Sequence, residues 1–160
     1  MHAPILGSRH LTWPDEAGCA ASAAVLARQP ALHDAFIELH GPLGAGKTTF
    51  VRHLLRALGV AGRIKSPSYA VLEPHQAGGL PISHFDFYRF DDPREWADAG
   101  FREVFAAPGL KLAEWPEKAA GQLPRPDLRL QLEPDPDGVR RVHAEALTPR
   151  GAQLLEAWAA

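Results

Sequence analysis

Three glycines, a lysine and two threonines fall in one short run, Gly41-Pro42-Leu43-Gly44-Ala45-Gly46-Lys47-Thr48-Thr49. The spacing G-x-x-x-x-G-K-[ST] is that of a loop that wraps a phosphate chain. Glycine reaches positive φ without a Cβ clash and lets backbone approach a ligand closely. The amides of Gly41, Leu43, Gly44, Ala45 and Gly46 can then converge as an anion-binding nest. Pro42 has no N–H and contributes none. Lys47 brings a compact positive charge to β- and γ-phosphates, and the Thr48 hydroxyl, followed by Thr49, is placed to coordinate Mg²⁺.

Such a loop works only between a strand and a helix. Ala35 to His40 is a short apolar run of strand formers ahead of it. Behind it, Phe50, Val51, Leu54, Leu55 and Leu58 recur at helical spacing, and Gly59 stands where a helix would stop. A bound anion would meet the free N–H groups and positive dipole end of that helix.

Further along lie the residues that could complete such a site. Lys65-Ser66-Pro67-Ser68-Tyr69 is polar and broken by proline, hence a loop. It reads either as a switch-like segment touching the γ-phosphate or metal, or as a solvated connector. Tyr69–Glu73 and Leu80–Phe87 read as a hairpin, with the turn placed at Pro74–Gly79. Its second strand carries Asp86 between Phe85 and Phe87. A carboxylate in that setting needs a buried partner, which favours a metal-site acid over a strand-end turn acid paired with Arg89. Leu110–Ala113 is a short strand running into Glu114-Trp115-Pro116-Glu117. Parallel sheets bind ligands at strand C-termini, so Glu114 could hold Mg²⁺, directly or through water, or orient an attacking water. Trp115 could stack on a base. Equally, Glu114 could cap a helix and Trp115 fill the core.

The rest of the chain supplies scaffold. Thr12 is expected to cap a first helix with Asp15 as its partner, after a short strand at Ser8–Thr12, and Ala17, Ala20, Ala21, Ala24 and Val25 are expected to form its buried stripe. Asp91-Asp92-Pro93 is expected to cap a helix from Arg94. Asp127–Leu132 and Val139–Ala146 alternate as strands around the turn Asp135–Gly138, and Thr148 caps a last helix, Pro149–Trp158.

At 160 residues, 46% hydrophobic and 22% charged, the chain is of a size and composition for one globular domain. A net charge of −2 disfavours tight binding of nucleic acid through charge alone. The single cysteine, Cys19, allows no internal disulfide, fits a reducing cytoplasm, and reads as a packed small hydrophobe. No run is apolar enough to span a membrane, and no signal peptide is expected. The eight histidines lack zinc-site spacing.

Four strings together, Gly41–Thr49, Lys65–Tyr69, His84–Arg89 and Glu114–Glu117, resemble the TsaE family of tRNA threonylcarbamoyladenosine biosynthesis. The resemblance covers roughly residues 10–155, and while the phosphate loop is common to many families, the other three strings are specific. It implies an α/β, P-loop NTPase-like three-layer fold whose central, mostly parallel sheet is extended by antiparallel strands. It implies binding of ATP/ADP with Mg²⁺, slow hydrolysis, and work with TsaD-type and TsaB-type partners that carry out the transfer to tRNA, so that tRNA is met indirectly. By position, Lys47, Asp86 and Glu114 would serve catalysis, with Thr48 and Glu114 on the metal and Asp86 beside it and the phosphates. Lys65 and Ser68 would belong to a switch-like loop, Trp115 would lie near the nucleotide, and Asp15 and Gly138 near the adenine. Ser68 stands where the family usually has Thr, which keeps the hydroxyl and drops the stiffening methyl.

Two other functions fit a phosphate loop. A small-molecule kinase needs an arginine-bearing lid, yet Gly100–Pro126 offers only Arg102 and Arg125. A non-hydrolysing nucleotide-sensing module would bind ATP without needing Glu114 for turnover.

Overall fold

The computed structural model describes residues 4–67, 71–90 and 100–158. A strand covered on both faces must be apolar on both, and β2 (Phe36–His40), buried along nearly its whole length, stands at the centre of a seven-stranded sheet. β5 (Leu110–Glu114), buried throughout, and β6 (Leu128–Pro134), which alternates between buried and half-buried before an exposed end, flank it in parallel, and β4 (Leu80–Asp86) joins β5 in parallel. β7 (Arg140–Ala146) and β1 (Gly7–Trp13) extend the β6 side antiparallel, and β3 (Leu72–Ala77) closes the other edge antiparallel to β4. The order is β1-β7-β6-β2-β5-β4-β3, the mixed α/β arrangement with a parallel centre that the sequence led us to expect.

Side chains alternate across the sheet, so β2, β4 and β5 feed two cores, while β6 and β7 send their buried residues into one. On one face Ile37, Leu39, Leu112, Leu130 and Val142 meet Phe50, Val51, Leu54 and Leu55 of α2 (Lys47–Leu58). Cys19, Ala23 and Leu26 of α1 (Glu16–Ala27) and Leu154 and Leu155 of α4 (Pro149–Leu155) complete that core. On the other, Phe36, Phe85 and Phe87 cluster with Phe101 of α3 (Phe101–Ala106). Trp13, at the end of β1, stacks on Phe50 at 5.4 Å and donates from Nε1 to Ser22 Oγ at 2.9 Å, pinning β1 to both α1 and α2.

Several sequence expectations are corrected. Strand β1 runs on to Trp13, and Asp15, not Thr12, caps α1, accepting from Gly18 N at 2.9 Å. The buried stripe of α1 is Cys19, Ala23 and Leu26, whereas Ala17 and Ala21 are exposed. A helix this rich in alanine has too little contrast between its faces for periodicity to choose one. Pro74 lies within β3 and the turn is confined to Gly78-Gly79. β3 is an edge strand, where a missing N–H costs no ladder bond. The expected cap at Asp91–Pro93 and the segment from Arg94 to Ala99 lie outside the described residues, as do Ser68 and Tyr69.

The last helix begins as expected. Thr148 Oγ1 accepts from Gly151 N at 3.0 Å and donates to Asp127 Oδ1 at 2.6 Å, while Asp127 Oδ2 accepts from Phe36 N at 2.7 Å. This linkage presses α4 onto backbone, and a Cβ at Gly151 would fall 1.8 Å from the Asp127 carbonyl oxygen. Gly151→Ala is therefore expected to destabilise the protein by about 3 kcal/mol or more, as overpacking against unyielding backbone does. Chemical denaturation checks this, and a variant as stable as wild type would contradict the packing described.

Candidate functional site

β2 carries the chain to the C-terminal edge of the sheet, and the loop from Gly41 to Gly46 turns it into α2. Gly41 has φ 146°, and a Cβ there would lie 2.6 Å from the Leu132 carbonyl oxygen. Gly46, at φ 103°, is the N-cap of α2. Leu43 to Thr49, with Asp86, Tyr88, Glu114, Trp115 and Arg140, line a cleft of about 270 Å³.

Parallel register brings the acids to this cleft. It sets Leu39 beside Glu114 and Glu114 beside Asp86. Glu114 is buried; its Oε1 accepts from Thr48 Oγ1 at 2.8 Å and its Oε2 meets His84 Nε2 at 2.6 Å. Asp86 Oδ1 accepts from Tyr88 N at 3.0 Å. Burial raises the Asp86 carboxyl above its ordinary value and Glu114 adds to the rise, while the Tyr88 amide, His84 and Lys47 oppose it.

Lys47 is buried and folded back, its Nζ donating to the carbonyl oxygens of Gly41 and of Pro42, the latter at 3.4 Å. Burial lowers its pKa, against the pull of Glu114, Glu117 and Asp86. The ammonium lies 3.8 Å from the centroid of the Trp115 ring, a cation–π contact. Trp115, at φ 55°, is the one non-glycine residue with positive φ among the described residues. For a bulky residue that backbone is strained. Its ring also lies 5.0 Å from that of Tyr88.

A second hollow of about 150 Å³ adjoins the cleft through Gly46, Thr49 and Arg140, and is lined further by Trp13, Asp15, Glu16, Cys19 and Gly138. Asp15 and Gly138, distant in sequence, thus meet in one place. Cys19 is buried there, its thiol pushed up to about 11 by burial and by Glu16, as suits packing rather than reaction. Lys65 is exposed and does not line the cleft, and Ser68 lies outside the described residues.

Arg140, His84 and Tyr88 were not singled out one by one from the sequence, the last two being read only within the string His84–Arg89. Arg140 donates from Nε to Ala45 O at 2.8 Å, from Nη2 to Gly44 O at 3.3 Å and from Nη1 to Gly138 O at 3.1 Å, tying the β6–β7 turn to the glycine loop. No local pattern marks it. His84 offered a signal: it shares a strand face with Asp86 two residues on.

The donor set suits a hard cation. Thr48 and Glu114 offer oxygen ligands side by side, with Asp86 in the next strand. Mg²⁺ is commonly held by one or two carboxylates plus substrate phosphates rather than by an all-protein cage. Among the described residues no three His, Cys, Asp or Glu side chains gather into such a cage.

A family model described as "Threonylcarbamoyl adenosine biosynthesis protein TsaE" matches residues 13–142. The tRNA threonylcarbamoyladenosine biosynthesis protein TsaE of Haemophilus influenzae is 38% identical over 122 residues, 76% of this chain and 77% of that one. Its counterpart in Bacillus subtilis is 34% identical over 120 residues, 75% of each chain. The crystal structure of YdiB from Bacillus subtilis superposes with a TM-score of 0.75 at 27% identity, covering 94% of both chains.

The raised pKa of Asp86 has a consequence for stability. A carboxyl that is harder to ionise folded than unfolded contributes stability below its unfolded pKa and loses it as pH rises through the folded value. Asp86→Asn keeps an acceptor for the Tyr88 amide and removes the charge. The variant is expected to melt higher than wild type at neutral pH, the gap closing in acid as the wild-type carboxyl protonates. Thermal melts across pH check this, and a variant that melts lower at neutral pH would contradict it.

Proposed function

The chain belongs to the TsaE family, and from that membership we propose that it is a Mg²⁺-dependent ATP-binding protein with slow ATPase activity, required for threonylcarbamoyl modification of adenosine in tRNA through TsaB-type and TsaD-type partners. The observation that carries this reading is the convergence of Lys47, Thr48, Asp86 and Glu114 on one cleft walled by the glycine loop. The glycine loop joining the parallel strand β2 to α2 supports a P-loop NTPase-like three-layer fold.

On this reading the loop amides from Leu43 to Lys47 cradle the phosphates at the start of α2. Lys47 releases the Gly41 carbonyl to neutralise phosphate charge. Thr48 and Glu114 would hold Mg²⁺, and Asp86 would lie beside the metal and the phosphates. Bound Mg²⁺ would neutralise charge on the phosphate oxygens. Trp115 packs over the phosphate end, and the second hollow, with Asp15 and Gly138, takes the nucleoside end. Lys65 and Ser68 belong to a loop that senses the γ-phosphate.

Slow turnover has a physical rationale. Stabilising the charge of phosphoryl transfer commonly needs an arginine finger. Arg140, the arginine lining this cleft among the described residues, is engaged with three loop carbonyls. A partner would supply the missing charge in trans. The kinase reading gains no support, since Arg102 is exposed and neither it nor Arg125 lines the cleft. No helix of the described residues is long and apolar enough to cross a membrane, and the proposed place of action is the cytoplasm.

ATP hydrolysis by the purified protein with Mg²⁺, alone and with both partners, tests the reading. Slow turnover that changes when the partners are added is expected, and Lys47→Ala and Glu114→Gln should each lower it by about 100-fold or more. Absence of hydrolysis in both conditions, or transfer of phosphate to a small metabolite, would overturn it.

A further inference from the structure

Glu114 and His84 are 2% and 1% exposed, and each is the other's partner. A buried carboxylate needs both oxygens satisfied. Thr48 satisfies Oε1 and His84 Nε2, at 2.6 Å, satisfies Oε2. From this arrangement we infer that His84 is the positioning residue of the site: it holds Oε2 so that Oε1 is presented to Thr48, where the metal is proposed to bind. The inference rests on the proposed function.

The chemistry and the fold agree on this role. An ionised carboxylate only accepts, so Nε2 of His84 carries the donated proton. The other ring nitrogen, Nδ1, is buried with no hydrogen-bond partner among the described residues. His75, whose Nε2 is likewise buried without a partner, is an electrostatic neighbour of His84 but makes no hydrogen bond to it, and burying an unpartnered nitrogen has a cost that an apolar residue would avoid. What a histidine adds there is its donor. Both residues stand on rigid, adjacent parallel strands, with His84 opposite Leu112 and Asp86 opposite Glu114. Glu114 is thus approached from one strand by His84 within the sheet and by Asp86 at its edge. An outer-shell donor of this kind fixes the orientation of a metal-binding carboxylate.

The test compares wild type, His84→Gln and His84→Leu as full chains saturated with ADP. Mn²⁺ binding is read from the loss of the free-ion electron paramagnetic resonance signal. Gln places an amide N–H at similar reach, whereas Leu fills the space without a donor. His84→Leu is expected to weaken Mn²⁺ binding about 10-fold or more, the usual scale for loss of an outer-shell partner. Its ADP affinity in a metal chelator should match wild type, and His84→Gln should recover most of the Mn²⁺ affinity. Unchanged Mn²⁺ affinity in His84→Leu would overturn the role, as would an equal loss of metal-free ADP affinity. So would a His84→Gln variant that melts like wild type yet binds Mn²⁺ as poorly as His84→Leu. Should His84→Leu fail to fold, nitrogen NMR of the wild-type imidazole decides: an Nε2–H form supports the role and an Nδ1–H tautomer overturns it. Wild type that takes up no Mn²⁺ with ADP would instead overturn the proposed function, which separates the two failures.

Discussion

Parallel pairing of β2, β5 and β4 sets Leu39 beside Glu114 and Glu114 beside Asp86, so two carboxylates reach the sheet edge where the chain leaves His40 for the glycine loop. A slip of one residue in either pairing would turn Glu114 or Asp86 to the opposite face. The two cores guard against that slip. Ile37, Leu39 and Leu112 must face α1 and α2, while Phe36, Phe85 and Phe87 must face α3. The register that buries both sets is the one that gathers the acids, so the site's geometry is a by-product of apolar packing on both faces.

The cleft concentrates unfavourable features that the packing around it sustains. Lys47 is buried, Glu114 is buried, and Asp86 is held above its ordinary pKa mainly by burial. Trp115 adopts a left-handed backbone. Burying charges together is poor for stability, but it sets them where a charged ligand would meet them. Lys47 is meanwhile occupied by two loop carbonyls and the face of Trp115, and Thr48 by Glu114. These partners are ones a phosphate and a metal could replace, as a ligand-free state of the proposed site requires.

What could be read from the sequence divides along physical lines. The glycine loop was legible because it needs particular residue types at fixed spacing, its strand because it is a short apolar run, and its helix because its apolar residues recur at helical spacing. Asp86 and Glu114 stood out as acids inside or just past apolar runs. Other features depended on tertiary context or lacked contrast. The buried face of α1 was lost among near-identical alanines. The cap at Asp15 was misplaced because β1 extends through Trp13, whose partners Phe50 and Ser22 are tertiary. Arg140 was missed because its value lies in reaching Ala45 and Gly44, some 95 residues away. The meeting of Asp15 with Gly138 came only from family resemblance, since no local spacing joins residues at opposite ends of a chain.

The most direct measurement is a crystal structure of the protein soaked with Mg²⁺ and a non-hydrolysable ATP analogue. The account predicts the phosphates inside the glycine loop, Lys47 Nζ turned from Gly41 O to a phosphate oxygen, and the metal on Thr48 and Glu114. Nucleotide bound elsewhere, or phosphates in the loop with the metal away from both Thr48 and Glu114, would contradict it.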